Sequence, residues 1–312
     1  MNSKVVVIGT GAVGSATAYN IAIRQLCNEL VLVDVNAEKA EGECMDICHA
    51  MPLLGGMRVR SAGYDACADA DVIIMTAGVG RKPGETRLDL AAKNAAICKD
   101  ITENIMKFYN GGVILIATNP VDVITSLVTK WTELPKGKVV GSGTTLDNTR
   151  LCHEISKYLD IDVRSVHGYI LGEHGDSQFV SWDLSNIAGV PVDTYFKAVG
   201  KEFNDEVKEK IATDSKTGGA AVIKRKGVTN MGIAACLADV TESILGNSRR
   251  LHTVSTQLDG MYGIDGVALS VLSIVDENGV AQQLDIPLSN EELAKLKHSA
   301  QQIRAVLEAV TN

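Results

Sequence analysis

The chain has 312 residues, 46% of them hydrophobic and 22% charged, which is enough apolar material for a sizeable core in one or two domains. A formal net charge of -8 argues against a nucleic-acid partner, because binding a polyanion needs clustered Lys and Arg, and no basic block occurs. The first residues run straight into an apolar strand pattern without a cleavage-site signature, and no apolar run approaches the roughly 20 residues of a membrane span, so a cytoplasmic protein with no membrane partner is expected.

From the N-terminus, short runs rich in Val and Ile alternate with longer helical stretches: VVVIG at 5–9, LVLVD at 30–34, DVIIMTAG at 71–78, GVILIAT at 112–118 and KVVGSG at 138–143. Their apolar character is continuous rather than alternating, which predicts strands buried on both faces, as in a parallel sheet between helical layers. The rhythm then changes. A helical stretch from about Leu151 is followed by shorter strand candidates, RSVHGYILG and ALSVLSIVDENG, and Asn278-Gly279 reads as a hairpin turn. The chain closes on a helix that Ser289 or Asn290 can cap, with Glu291 and Glu292 at its positive end and Leu293, Leu296, Ala300, Ile303 and Leu307 on one face. Seven scattered cysteines, odd in number and never spaced C-x-x-C, indicate neither a disulfide framework nor a metal site, and read as small buried hydrophobes.

Two regions carry chemistry. Gly9, Gly11 and Gly14 form G-x-G-x-x-G between an apolar strand and a helix, where glycines make the tight turn, let backbone approach a pyrophosphate, and let helix pack on strand. Asp34 ends the next strand, 20 residues after Gly14. A carboxylate there accepts hydrogen bonds from both ribose hydroxyls and repels a 2′-phosphate, which favours NAD over NADP as cofactor. Further on, GEHGDS places His174 among glycines, and SGTTLDNTR places Asp147 and Arg150 three residues apart on one helical face. A histidine to carry a proton, an aspartate to charge-stabilise it and an arginine to hold a carboxylate would make one acid–base constellation, although Asp147 and Arg150 also suit an ordinary helix salt bridge. The loop GRKPGETR adds Arg81 and Arg87 around a turn supplied by Lys82-Pro83 and Gly84.

The segments GTGAVGSATA, GETRLDLAAKN, ATNPVDVIT, SGTTLDNTRL and GEHGDS, in this order, resemble the L-lactate/L-malate dehydrogenase family over essentially the whole chain. The resemblance implies an α/β fold: a Rossmann-type doubly wound NAD-binding domain (1–143) followed by an α+β substrate domain (144–312), assembled as a homo-oligomer, dimer or tetramer. It implies His174 as proton donor and acceptor, Asp147 as its partner, Arg150 as carboxylate anchor, and Arg87 as the group that polarises the substrate carbonyl when its loop closes. Asn119 would bond the substrate oxygen and the nicotinamide region, with Thr229 and Ile233 lining the pocket nearby. The substrate that the resemblance implies is a small 2-hydroxy or 2-keto acid.

Arg81 divides the readings within the family. Its position resembles one that holds Gln in members preferring pyruvate and Arg in members preferring oxaloacetate, where it would pair with a second carboxylate. Gly218 and Gly219 resemble a pocket segment where lactate enzymes often carry alanines, and the extra room would suit a larger substrate. Glu85, Glu173 and Thr229 resemble the lactate branch, where most of the chain sits, so L-lactate is the expected substrate and L-malate the alternative. With the first strand expected within the first few residues, the N-terminal arm that some tetrameric relatives use is not expected here. Members activated by fructose 1,6-bisphosphate resemble one another in an Arg two residues after the anchor and a His in the VHxY segment. Here these positions are Cys152 and His167, so weak or absent activation is expected, with His167 read as a buried structural imidazole. A non-catalytic protein on the same fold is the rival class, but it would be expected to lose one of Arg87, Asp147, Arg150 or His174, and all are present.

Overall fold

The first apolar run forms β1 (Lys4–Ile8), whose Val6 and Ile8 enter one core cluster while Val5 and Val7 enter another. A strand with two apolar faces needs a helical layer on each side. The computed structural model, which describes residues 3–80 and 84–311, supplies both.

In chain order, β1 is followed by α1 (Ala12–Arg24), β2 (Glu29–Val33), α2 (Ala37–Leu54), β3 (Arg58–Ser61), β4 (Val72–Met75), α3 (Arg87–Met106), β5 (Val113–Ile116), α4 (Val121–Thr132) and β6 (Val139–Gly141). The second half contains α5 (Thr145–Leu159), β7 (Val166–His167), β8 (Ile170–Leu171), β9 (Phe179–Val180), β10 (Asn186–Ile187), β11 (Val190–Pro191), α6 (Val192–Ala198), α7 (Asp205–Lys226) and α8 (Met231–Leu245). It ends with β12 (Arg250–His252), β13 (Ser255–Asp259), β14 (Asp265–Ser270), β15 (Ser273–Asp276), β16 (Gly279–Gln283) and α9 (Asn290–Thr311).

The main sheet runs β14-β13-β6-β5-β4-β1-β2-β3, with β1 to β6 mutually parallel. Strand order reverses direction beside β1, so the loops after β1, β4 and β5 open onto a crevice at the C-terminal edge, where α/β sheets bind ligands. The fold is the doubly wound sheet with a C-terminal α/β portion. Two strands of that portion, β13 and β14, extend the same sheet antiparallel, β13 meeting β6 at Ser255 and Gly141. A separate core, with Leu151, Ile155, Ile170, Phe196 and Ile211, holds α5, α6 and α7 to β7, β8 and β10.

Several local expectations change. The strand β3 escapes the apolar pattern because it lies at the sheet edge and its sequence, RVRS, exposes Arg58 to solvent. In the β15–β16 hairpin the turn is Glu277-Asn278, not Asn278-Gly279, since Asp276 pairs with Gly279. Gly279 is required for another reason: its φ is +93°, and a Cβ there would sit 2.1 Å from the Gly137 carbonyl oxygen. His167 is not buried. The pleat of β7 turns Val166 inward and His167 outward, so its imidazole is exposed. Cys48 is likewise exposed and Cys152 half-buried, whereas the other five cysteines are buried. The final helix is capped by Ser289, whose hydroxyl accepts from the Glu292 N–H at 3.3 Å while the Glu292 carboxylate accepts from the Ser289 N–H at 3.1 Å.

Candidate active site

At the nucleotide end the three glycines meet three different constraints. Gly9 has φ +95°, and a Cβ on it would lie 2.7 Å from the Ala77 backbone. Gly14 packs α1 so tightly on the strand that a Cβ would fall 1.8 Å from the Gly9 carbonyl oxygen. Gly11 caps α1 and faces open space, with nothing within 4 Å of its missing Cβ. Open room at a helix N-terminus is what close approach by a phosphate needs, so these residues fit the diphosphate of NAD. Asp34 ends β2 beside this turn. Its Oδ2 accepts from the Thr10 N–H at 2.6 Å and the Thr10 hydroxyl at 2.9 Å, and its Oδ1 accepts from the Asn36 N–H at 2.9 Å. Partial burial works against the charge, but these donors prevail and hold the carboxyl below the usual carboxylate range, ionised and ready to accept further bonds.

Thr229 and Ile233 flank the start of α8, and the Asn230 side chain donates to the Ala12 carbonyl at 3.3 Å, which brings this segment to the glycine turn. Asn119 follows β5 at the same edge, its carbonyl accepting from Asn94 Nδ2 at 2.7 Å. Asn94, buried on α3, also accepts from the Val79 N–H at 2.8 Å and donates to the Val79 carbonyl at 3.1 Å. It therefore ties the start of the arginine loop to the Asn119 segment. Nothing in its spacing signalled that role, because the bonds span 15 and 25 residues.

The chemical end is assembled around Asp147. This residue sits in the first turn of α5 and is 1% exposed. Its Oδ2 lies 2.5 Å from His174 Nδ1 and its Oδ1 lies 3.0 Å from Arg150 Nη1, so one carboxylate serves both the helix salt bridge and the histidine. Bonding at Nδ1 fixes the ring and leaves Nε2 as the nitrogen available for proton exchange. Burial favours the neutral imidazole, but the charge of Asp147, its hydrogen bond and the charge of Asp122 outweigh burial and the opposing Arg150, so the His174 pKa is raised above 6.5. The ring is 24% exposed, which leaves one edge accessible.

His174 is held by its main chain as well. Gly172 bridges to Ser270 through paired backbone bonds of 3.0 and 2.9 Å, and the His174 N–H donates to Asp122 Oδ2 at 2.7 Å. Asp122 is 1% exposed in the first turn of α4, and its Oδ1 accepts from the Ser255 hydroxyl at 2.6 Å. Burial pushes this carboxyl up to about 6 despite the hydrogen bonds from Ser255 and His174. Asp122 lies within the NPVD segment but carried no assignment from sequence, since its partners are 52 and 133 residues away.

Arg87 is the first residue of α3. Thr86 caps that helix through a reciprocal pair with Asp89, at 3.1 and 3.0 Å, which fixes where Arg87 leaves the loop. Its Nη2 lies 2.5 Å from Asp176 Oδ2, two residues beyond His174, so the loop arginine rests over the same segment. Gly84, with φ +84°, supplies the expected turn, whereas Arg81 and the Lys82-Pro83 step lie outside the described residues. Glu85 pairs with Lys93. Gly218 and Gly219 on α7 face Arg150: a Cβ on Gly219 would lie 2.9 Å from Nη2, while one on Gly218 would clear the side chain at 3.6 Å. The half-buried Cys152 Sγ accepts from the Gly168 N–H at 3.2 Å and supplies no cation near His167. Among the described residues no group of three or more His, Cys, Asp or Glu is arranged to hold a metal, and no helix is long and apolar enough to cross a membrane.

Comparison with known proteins adds an independent line. Residues 3–141 match the model for the lactate/malate dehydrogenase NAD-binding domain, and residues 144–312 match the model for the α/β C-terminal domain of the same family. Among curated proteins, an L-lactate dehydrogenase from a Thermoanaerobacter species is 40% identical over 98% of each chain. Among solved structures, a minor L-lactate dehydrogenase from Enterococcus mundtii superposes with TM-score 0.95 at 41% identity, covering 99% of this chain and 98% of that one. An L-lactate dehydrogenase from Clostridium thermocellum gives TM-score 0.86 at 47% identity, covering 99% of this chain and 100% of that one.

Proposed function

The chain belongs to the lactate/malate dehydrogenase family, and within it we propose an NAD-dependent L-2-hydroxy acid dehydrogenase that interconverts L-lactate and pyruvate in the cytoplasm. The observation that carries this reading is the double use of Asp147, 2.5 Å from His174 Nδ1 and 3.0 Å from Arg150, which puts an acid–base group and a carboxylate-binding cation side by side. Residues 1–143 would bind the cofactor and residues 144–312 the substrate.

In this account Arg150 holds the substrate carboxylate and places C2 of the hydroxy acid beside His174. His174 takes the hydroxyl proton on Nε2, and Asp147 stabilises the imidazolium that results. NAD held by the glycine turn and Asp34 would supply the hydride acceptor for C2. In the reverse direction the protonated ring and Arg87 stabilise the oxygen as negative charge develops on it. Arg87 must leave Asp176 to do so, and an exposed pair, 59% and 70% accessible, is weak enough to exchange. Asn119 adds a hydrogen bond to the substrate oxygen and the nicotinamide region. Thr229 and Ile233 close the pocket on the side of the glycine turn, and Gly9, Gly11, Gly14 and Asp34 hold the cofactor. Met45, Leu53, Met231 and Leu251 are exposed apolar side chains on α2, α8 and β12, which supports a homo-oligomer, dimer or tetramer.

A second reading, L-malate and oxaloacetate, is supported by Arg81 as a cation for a second carboxylate. Steady-state NADH oxidation with pyruvate and with oxaloacetate, on wild type and Arg81→Gln, separates the two by kcat/KM. Preference for pyruvate with little change in the variant supports lactate. Preference for oxaloacetate that the variant reverses supports malate, and turnover of neither refutes both.

A further inference from the structure

The site holds a second buried carboxylate that the reaction scheme above leaves unused. We propose that Asp122 is a positioning residue for His174: it grips the main chain of the histidine while Asp147 grips the ring, and its negative charge helps to keep the imidazole ready to take and hold a proton.

The inference rests on the reading of His174 as the acid–base group, and four observations carry it. First, Asp122 bonds the His174 N–H at 2.7 Å, so the histidine is fixed at both ends, by Asp122 at the backbone and by Asp147 at Nδ1, at 2.5 Å. Second, Asp122 is braced independently, by the first turn of α4 and by the Ser255 hydroxyl on β13 at 2.6 Å, so three separate elements converge on one residue. The helix N-terminus adds a favourable dipole for the charge. Third, the two donors, an N–H and a hydroxyl, would be met equally well by a neutral amide. An asparagine could accept from His174 and donate to Ser255 after that hydroxyl rotates, so hydrogen bonding alone does not call for a carboxylate. Fourth, burying a carboxylate is costly, and Asp122 is 1% exposed with its pKa pushed up to about 6. The compensation is electrostatic: the His174 charge lowers the pKa of Asp122, and the Asp122 charge raises that of His174. The other charged groups around them are Asp147 and Arg150 on α5, Glu173, whose charge opposes ionisation of Asp122, and Arg87 with Asp176 at the loop. Of these, Asp147 shares the direction of Asp122 and Arg150 opposes it.

The test compares wild type with Asp122→Asn and Ser255→Ala. Isotope-labelled histidine lets the His174 ring be titrated by NMR without substrate or cofactor, its signal being assigned by its loss in His174→Gln. The pH profile of kcat/KM for pyruvate reduction is measured in parallel. The expected result is a His174 midpoint displaced to lower pH in Asp122→Asn, with the kinetic profile displaced the same way and kcat/KM at pH 7 reduced about tenfold or more. Ser255→Ala should show a smaller displacement in the same direction, because losing its hydroxyl leaves Asp122 less ionised, and it carries the test if Asp122→Asn does not fold. An unchanged midpoint in every variant that folds overturns the proposal, even if activity falls, since a merely structural carboxylate would leave the ring titration alone. If wild type turns over neither keto acid, the functional reading fails, while the NMR titration still decides the role of Asp122.

Discussion

The turn after β1 and the cluster around His174 lie along the same edge of the sheet, yet they are built in opposite ways. The turn is contiguous chain: Gly9, Gly11 and Gly14 act through backbone geometry, and Asp34 follows at the end of the next strand. The cluster is made of side chains brought from α3, α4, α5 and the His174 segment, and apart from the i,i+3 pair of Asp147 with Arg150 each is fixed by a partner far away in the chain. A backbone site tolerates changes that keep its space open, whereas a side-chain network fails when any shared partner is lost. Substitutions in one region should therefore leave the other's readout intact.

Within the proposed function, the largest expected effect is on the side-chain region. His174→Ala should lower kcat/KM for pyruvate by about 10³-fold, the order expected for losing an acid–base group, with NADH binding by fluorescence unchanged. Parallel loss of NADH binding would show that the two regions are not separable.

The glycines sharpen the contrast on the other side. Gly14→Ala forces a Cβ to within 1.8 Å of the Gly9 carbonyl, so the turn must shift, and the melting temperature should fall by about 5–10 °C. Gly11→Ala meets nothing within 4 Å, so the melting temperature should stay put while the Kd for NADH rises roughly tenfold. Equal thermal effects would contradict the assignment of Gly11 to cofactor approach.

A smaller effect is expected at Gly219→Ala, where the new Cβ would press within 2.9 Å of Arg150 Nη2. Displacing a carboxylate anchor should raise KM for the keto acid about fivefold with kcat nearly unchanged, and a fall in kcat alone would place Arg150 elsewhere. Smallest is Asp176→Asn. The exposed pair with Arg87 contributes little, so kcat/KM should change by less than about threefold, and a larger change would mean that the loop depends on this pair.

The same difference in construction explains what could be read from sequence. The parallel strands and the glycine turn were legible because apolar runs and motif spacing are local, as was the capped final helix. The strand β3 was not, because an edge strand with alternating arginines carries no buried run. His167 was misjudged because a two-residue strand gives no pattern from which to tell the inward from the outward face. At the site, Asp147 and Arg150 could be paired from their spacing, but whether the pair was a plain salt bridge depended on a histidine 27 residues away. Asn94 and Asp122 were invisible for the same reason: their partners are set by how α3, α4 and β13 meet, not by neighbours in the chain.

The central claim is that Asp147 tunes His174 as the acid–base group. It is tested most directly by the pH dependence of kcat/KM for pyruvate reduction in wild type and Asp147→Asn. Reduction needs the protonated ring, so wild-type activity should hold at low pH and decline as pH rises through a His174 pKa raised above 6.5. Removing the carboxylate takes away the charge and the charged hydrogen bond that raise this pKa, so the decline in Asp147→Asn should move to lower pH and its maximum should drop. A variant profile that superimposes on wild type would contradict the account.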